Sequence, residues 1–503
     1  MTASRVVLVP STATSFVACA LTECSPMPEA RAPRRMGAMF GVLATALCAA
    51  KANLPAAAQS SAPEPSTLAM RIDSSVRRYV ASVAPAGIVV AVVRKGDTLA
   101  LRGHGERSLE LHAPMDSATV FRIGSVTKQF TAAAILRLEE EGRLRLTQTV
   151  GDFLPQYPRW SRITLRQLLN HTSGLPEFQQ DSSWQRLRAN RSEAGAILDV
   201  MARAPLRFSR GTRVEYSNTG YLLLGRIVEA VTHETLAAYW SRTFFVPLGM
   251  TRARVCADGP PAPDDAHGYE PSAHGMMPAA SLPIAPFGGA GALCMSALDL
   301  LRWQRGLMDG RVLRTDDVAR MTASDTLADG RPTHLGWGVI PREIGGIPAI
   351  THGGDIDGFS VEQGWLPRDS LQIVVLTNTF GSRPASLVES IVRVVNDLPS
   401  VKPATGITEA LRAAVGTYRM QFSPERTATL VIWTAGEELF GRFDVPGQHA
   451  FPLIALPNGE LASPAASGLR IQLHREGRGV PWLEFRQNGV VLRGERVLTE
   501  PIR

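Results

Sequence analysis

Apolar residues change their spacing several times along the chain, and each change marks an element. From Leu68 to Ala84 they recur every three to four positions, which predicts a helix. Gly87-Ile-Val-Val-Ala-Val-Val93 is a continuous apolar run. With the Lys95-Gly96-Asp97 turn and the segment Thr98–Gly103 it predicts a β-hairpin. Ser125–Glu141 predicts a helix closed by Gly142, and its early part, Gln129–Leu136, is apolar on most faces. A helix of that kind belongs in the interior. A further helical region covers about Tyr221–Phe245, and the Pro-, Gly- and Ala-rich stretch 257–290 reads as a long loop.

Ser296 and Asp299 have the capping-box spacing for a helix reaching Leu307. Strand patterns follow at Leu335–Ile340, Ala349–Thr351, Phe359–Leu366 and Gln372–Asn378, then a last helix at about Ala385–Asn396. Strands therefore open and close this part of the chain while helices fill its middle. That order predicts an α/β (α+β) domain, with an antiparallel sheet flanked by helices and an all-helical subregion. Residues 399–408 read as a linker. Beyond them short alternating segments (Thr429–Thr434, Leu439–Phe443, Leu469–His474, Trp482–Arg486) predict a small all-β domain over 409–503.

The first 58 residues read as a leader. Arg34 and Arg35 precede an apolar stretch, Met36–Ala50, and Ala56-Ala57-Ala58 fits a cleavage site. The apolar stretch is short for a membrane span, so the expectation is export to the periplasm or beyond, with no stable span. A start at Met27 or Met36 would suit such a leader better than Met1. Cleavage leaves Cys256 and Cys294. They could pair in an oxidising compartment, but the reading adopted is two separate buried thiols. Net charge is +7 with the cations scattered singly, which speaks against a nucleic-acid partner.

Only four of the 53 basic residues are lysines: Lys51, Lys95, Lys128 and Lys402. Lys128 lies three residues after Ser125, on one face of the predicted helix. Arginine keeps its proton at physiological pH, whereas a buried lysine can lose it and act as a base. The pair therefore suggests a serine nucleophile activated by an amine, at a helix start that favours negative charge. Tyr216-Ser217-Asn218 precedes the next helical region. Its phenol can relay a proton if neighbouring cations lower its pKa, and the Asn218 amide can orient a substrate carbonyl. Thr351-His352-Gly353-Gly354-Asp355 ends a strand pattern, and its glycines let a substrate backbone approach. His334-Leu335-Gly336 has the same His-x-Gly form. Its flanks look like a packed strand, so His352 is preferred.

The order Ser-x-x-Lys, Tyr-x-Asn, His-x-Gly resembles the serine β-lactamase and penicillin-binding protein-like family. The branch it resembles most holds class C β-lactamases, D,D-carboxypeptidases, D-aminopeptidases and related esterases. Asn170-His-Thr-Ser-Gly-Leu175, Phe245-Val-Pro-Leu-Gly-Met250 and Gly288–Ser296 add to the likeness, which covers about residues 68–398.

The resemblance implies a β-lactamase/transpeptidase-like fold and an acyl-enzyme mechanism. Ser125 attacks, Lys128 and Tyr216 share its proton, and the backbone N–H groups of Ser125 and Asp355 form the oxyanion hole. Asn218, His352, Gly354 and Asp355 would contact a small-molecule or peptide substrate. No metal or cofactor is implied, and no extra glutamate base of the class A kind is identifiable. Many true β-lactamases carry lysine where this chain has His352, so antibiotic hydrolysis is disfavoured. Arg342 or Arg383 could replace that charge. The expected activity is hydrolysis of small esters, amides or D-amino-acid peptides. A D,D-carboxypeptidase or weak β-lactamase, and a non-catalytic binding protein on the same scaffold, are the alternatives.

Overall fold

The structure is a computed structural model. It describes residues 67–497 apart from 182, 191–193, 273–274, 281–282, 400–411, 424–425, 436–437, 445–450, 457–458, 464–465, 475–480 and 488–489. The expected leader and nearly all of the expected linker lie outside the described residues.

Helix α1 (Thr67–Val83) is followed by the predicted hairpin, β1 (Gly87–Arg94) and β2 (Asp97–Ser108), and by the short β3 (Ala113–Pro114). Strand β4 (Val120–Arg122) leads through a 3-10 turn, Gly124–Val126, into α2 (Thr127–Glu140). Ser125 therefore sits in that turn, just before the α-helix. Helix α3 (Asn218–Thr232) ends at His233, whose φ of 60° breaks the predicted helical region. The stretch expected to be a loop contains a two-stranded hairpin, β6 (Tyr269–Ser272) with β7 (Gly275–Pro278), after the short β5 (Arg254–Val255).

A short helix, α4 (Gly288–Gly291), precedes β8 (Leu293–Ser296) and α5 (Ala297–Met308). Helix α5 starts with the predicted capping box of Ser296 and Asp299. Strands β9 (Ile340–Ile344), β10 (Ile347–Ile356), β11 (Phe359–Leu366) and β12 (Leu371–Thr377) then lead to α6 (Ala385–Val395).

Among the described residues, seven strands form an antiparallel sheet in the order β3-β2-β1-β12-β11-β10-β9. Strand β1 pairs with β12, so the first hairpin joins the last strands, as its apolar run requires of a strand buried on both faces. Alternate residues point to opposite faces. Val89, Ala91, Val361, Trp365, Val374 and Leu376 pack on one face in a core shared with Phe130 of α2, Leu223 of α3 and Trp303 of α5. Ile88, Val90, Val92, Ile373 and Val375 face α1 and α6. These are the front and back faces below.

Beyond the linker, strands β13 (Gly416–Ser423), β14 (Arg426–Ala435), β15 (Glu438–Phe443), β16 (Phe451–Ala455), β17 (Leu461–Ser463), β18 (Ala466–His474), β19 (Trp482–Gln487) and β20 (Val490–Val497) close into a barrel. Tyr418, Leu430, Ile432, Leu469, Ile471, Leu483 and Phe485 are buried together in its core. Strand β18 packs on α6, which lies on the back face of the main sheet.

Three expectations are corrected. Leu335–Val339 is not a strand, and the strand there begins at Ile340. Gly338 has a φ of 71°, and a side chain on it would come within 2.6 Å of the Lys128 carbonyl oxygen. The segment is buried because it presses against α2, which mimics a strand's apolar signal. The 351–355 motif lies inside β10 rather than at its end, because a pair of glycines is compatible with pairing to β11. Cys256 and Cys294 form a disulfide, with Cα atoms 5.0 Å apart. The Cys256 N–H donates to Ala292 O and Cys294 pairs with Arg254, which brings together residues 38 apart in sequence.

Candidate active site

Ser125 is half-buried where β4 turns into α2. Strand β4 is held by β8, and the Ile123 N–H continues that pairing to Leu293 O at 3.0 Å. Strand β10 closes on the turn from the other side. A side chain on Gly354 would lie 2.0 Å from Ile123 O and 3.1 Å from Ser125 N, and one on Gly124 would lie 3.3 Å from Asp355 N. Only glycine permits this approach. It brings the backbone of the serine turn against the backbone of β10 at Gly354 and Asp355. Pairing of β9 with β10 ends at Thr351, so from His352 onward that edge of β10 has no β9 beside it.

Lys128 is fully buried. Its Nζ is 2.7 Å from Asn218 Oδ1, 2.8 Å from Ala290 O and 3.1 Å from Ser125 Oγ. The first two partners are pure acceptors and take two of its hydrogens. The third direction faces the serine. A charged Lys128 donates there, whereas a neutral one presents its lone pair to the serine hydroxyl. Burial lowers its pKa to about 7, against an opposing pull from Glu177, so both forms are populated near neutral pH.

Asn218 is fixed at both ends. Ser217 caps α3 through a bond from Gly220 N at 3.1 Å, which places Asn218 in the first turn. Its otherwise orphaned N–H donates to Glu177 Oε2 at 2.6 Å. Its side-chain amide donates to Gln179 Oε1 at 2.5 Å and Glu177 Oε1 at 3.3 Å, turning Oδ1 towards the lysine. The amide expected to face a substrate is thus engaged within the protein.

The Ser125 hydroxyl lies close enough to the Tyr216 phenol to lower its pKa. Its ring stacks on His171 at 4.5 Å between centroids and lies 4.8 Å from Lys128 Nζ. The residue is 39% exposed. Desolvation raises the phenol's pKa, Ser125 opposes this, and Glu177 and Asp355 raise it further. The shift is thus opposite to the one expected of a phenol acidified by cations.

His352 is buried, 6.4 Å from the Tyr216 ring between centroids. Its Nδ1 is 2.6 Å from Gly353 O, a bond that requires the proton on Nδ1 and leaves Nε2 an acceptor. Burial and Lys128 lower its pKa to about 4, so it is neutral at pH 7. His334, the rejected match, is exposed with a φ of 56°. Asp355 accepts a bond from Ser360 Oγ, and burial raises its pKa. Arg342 pairs with Glu362 at 3.1 Å on the back face, so its charge is already matched.

The structure thus brings Ser125, Lys128, Tyr216, Asn218, His352, Gly354 and Asp355 together. It adds His171, whose Nδ1 accepts from Ser217 N at 3.0 Å, and Glu177. Glu177 was missed in the sequence although it lies two residues past the Asn170–Leu175 motif. The available signal was physical: a buried lysine needs an acid nearby.

These parts define a class of protein. The Beta-lactamase family profile matches residues 72–394, well over half of the chain, and the chain belongs to that family. Among curated relatives it is similar to the D-aminopeptidase of Gluconobacter oxydans (strain 621H), 29% identical over 313 residues, which are 61% of this chain and 58% of that protein. The D-aminopeptidase of Brucella anthropi is 28% identical over 317 residues, 62% of this chain and 59% of that protein. The match thus spans less than two thirds of either relative.

Two solved structures share the fold. An octameric penicillin-binding protein homologue from Pyrococcus abyssi superposes with a TM-score of 0.60 at 21% identity, covering 84% of this chain and 99% of that one. D-amino acid amidase from Ochrobactrum anthropi SV3 gives 0.57 at 24%, covering 66% and 99%. Among the described residues no helix is long and apolar enough to cross a membrane.

Proposed function

We propose that the chain is an exported serine hydrolase that acts through an acyl-enzyme on small esters, amides or D-amino-acid peptides. The observation that carries this reading is the Lys128 amine. It is buried, bound on two sides by fixed acceptors, and aimed on the third at Ser125 Oγ, 3.1 Å away. In its neutral form it takes the serine proton as Oγ attacks a carbonyl. The tetrahedral oxyanion accepts from the Ser125 and Asp355 N–H groups. Tyr216, still protonated and beside Ser125, passes a proton to the leaving group and recovers one from the Lys128 ammonium. Water then releases the acyl group by the same route in reverse.

His352 is neutral and Glu177 and Asp355 lie around the site, an environment that does not attract a substrate carboxylate. This favours esters, amides and peptides over β-lactams, and the similarity to D-aminopeptidases favours D-residues. Export is supported by the leader-like N-terminus and by the Cys256–Cys294 disulfide, a bond that persists in oxidising compartments.

The test is a panel of p-nitrophenyl esters, D-amino-acid amides and nitrocefin on wild type and Ser125→Ala. The expected result is ester or amide turnover that Ser125→Ala abolishes. Full turnover in Ser125→Ala, or no labelling of the wild type by any serine-directed probe, overturns the reading. Nitrocefin as the best substrate would favour the β-lactamase alternative.

A further inference from the structure

Resting on that reading, we propose that Arg342 and Glu362 are positioning residues for the oxyanion strand, strapping the back of β10 behind His352, Gly353 and Gly354. The two side chains leave different strands. Arg342 lies opposite Ala349 in the β9–β10 pair, and Glu362 lies opposite Gly353 in the β10–β11 pair. Ala349 belongs to the back-face core, and Glu362 pairs with Val375 of the same core, so both side chains lie on the back face. Ser125, His352 and Gly354 are on the front. The ion pair thus reaches from β9 to β11 across the β10 backbone.

The need for a strap follows from the pairing. Beyond Thr351 strand β10 has lost β9, and its ladder is held by β11 on one side. The freed stretch must still hold the Asp355 N–H at the nucleophile turn. On the front, Gly354 rests on Ile123 O. On the back, Glu362 rests on Gly353, where a side chain would come within 2.6 Å of Glu362 Oε2. The two glycines of His-Gly-Gly therefore serve different contacts, one with the serine turn and one with the strap.

Stability alone does not account for the pair. Arg342 and Glu362 are 15% and 9% exposed at their side chains, and buried pairs are often matched or exceeded in stability by apolar residues. Apolar neighbours, Ala349 and Val375, are already present. The single charge-assisted hydrogen bond from Arg342 Nη2 to Glu362 Oε1, at 3.1 Å, ties the two outer strands together across β10, which is what a strand carrying an oxyanion donor requires.

The experiment measures kcat, KM, active-site titration and Tm for Glu362→Gln, for the double variant Arg342→Met/Glu362→Leu, and for Gly353→Ala. Wild type and Ser125→Ala run beside them. Turnover that survives in Ser125→Ala sinks the reading of the site, and loss in Ser125→Ala leaves the strap to be judged separately. The expected result is kcat lower by roughly 10–100-fold with KM within about twofold, because the defect is misplaced geometry and not lost binding. Every titratable Ser125 should still acylate. The double variant leaves no unpaired buried charge and should be folded, with Tm near wild type and kcat still low. Wild-type kcat in the double variant overturns the proposal. So does a loss that simply tracks a fall in Tm across all three variants.

Discussion

Two ionisable side chains are buried on either side of the main sheet, and burial drives them to a similar pKa from opposite directions. On the front, Lys128 is lowered to about 7, and on the back, Glu362 is raised to about 7. Their surroundings differ. The hydrogen-bond partners of Lys128 are neutral, with Glu177 held off behind Asn218. Glu362 has Arg342 against it, which opposes its upward shift, while Asp355 adds to it. An amine with neutral partners can exchange its proton without breaking an ion pair. A carboxylate with a guanidinium beside it is held by a charge-assisted bond. On the proposed reading, the same desolvation serves proton transfer on one face and positioning on the other.

The contrast can be broken in several ways. The largest effect is expected from Lys128→Arg, which keeps charge but cannot give up its proton. kcat/KM should fall by about 10³-fold or more, on the order of 4 kcal/mol, in steady-state assays. A small loss would remove the amine from its role as base.

The next effect concerns stability. Lys128 binds a proton in the unfolded chain up to about pH 10.5 but in the folded protein only to about 7. Between those values the unfolded state holds more protons, so wild-type stability should rise with pH, by a few kcal/mol as an order of magnitude. Denaturant titrations of Lys128→Met across pH 7–10 should lack that rise. If both proteins show the same slope, the lysine is not desolvated as described.

Glu362 gives the opposite sign. Its folded pKa lies above its unfolded 4.5, so the folded state holds the extra proton between 4.5 and about 7. Its contribution is fully present below 4.5 and is lost as pH rises through 7. Glu362→Gln should remove this downward slope, roughly 1–3 kcal/mol across the window. The smallest change is expected in Glu177→Gln. The lost charge no longer raises the Lys128 pKa, so the acidic limb of the kcat/KM profile should move to lower pH. The rate should fall by about tenfold or less, in line with one weakened hydrogen bond to Asn218. A shift of the limb to higher pH would contradict the electrostatics.

Features encoded by local pattern were legible in the sequence. Ser296 with Asp299 marked the start of α5, the apolar run at 359–366 marked β11, and Ser-x-x-Lys placed an amine beside a hydroxyl. Features that depend on long-range contact were not. Leu335–Val339 is apolar because it presses on α2, a burial that period alone cannot distinguish from a strand. The cysteine pair needed β5 and β8 to be neighbours. The direction of the Tyr216 shift depends on desolvation by residues distant in sequence, which no motif states. Glu362 reads as one polar residue in a buried strand until Arg342 and Gly353 are set beside it.

The disulfide has a practical consequence for anyone preparing the protein. Cys256 follows β5 and Cys294 lies in β8, whose partner β4 leads directly to Ser125. A sample purified in thiol reductant, or made in a reducing cell compartment, loses the covalent link between β5 and β8. Specific activities from such batches are expected to vary with oxidation history. Counting free thiols before each assay is then a condition for comparing one preparation with another.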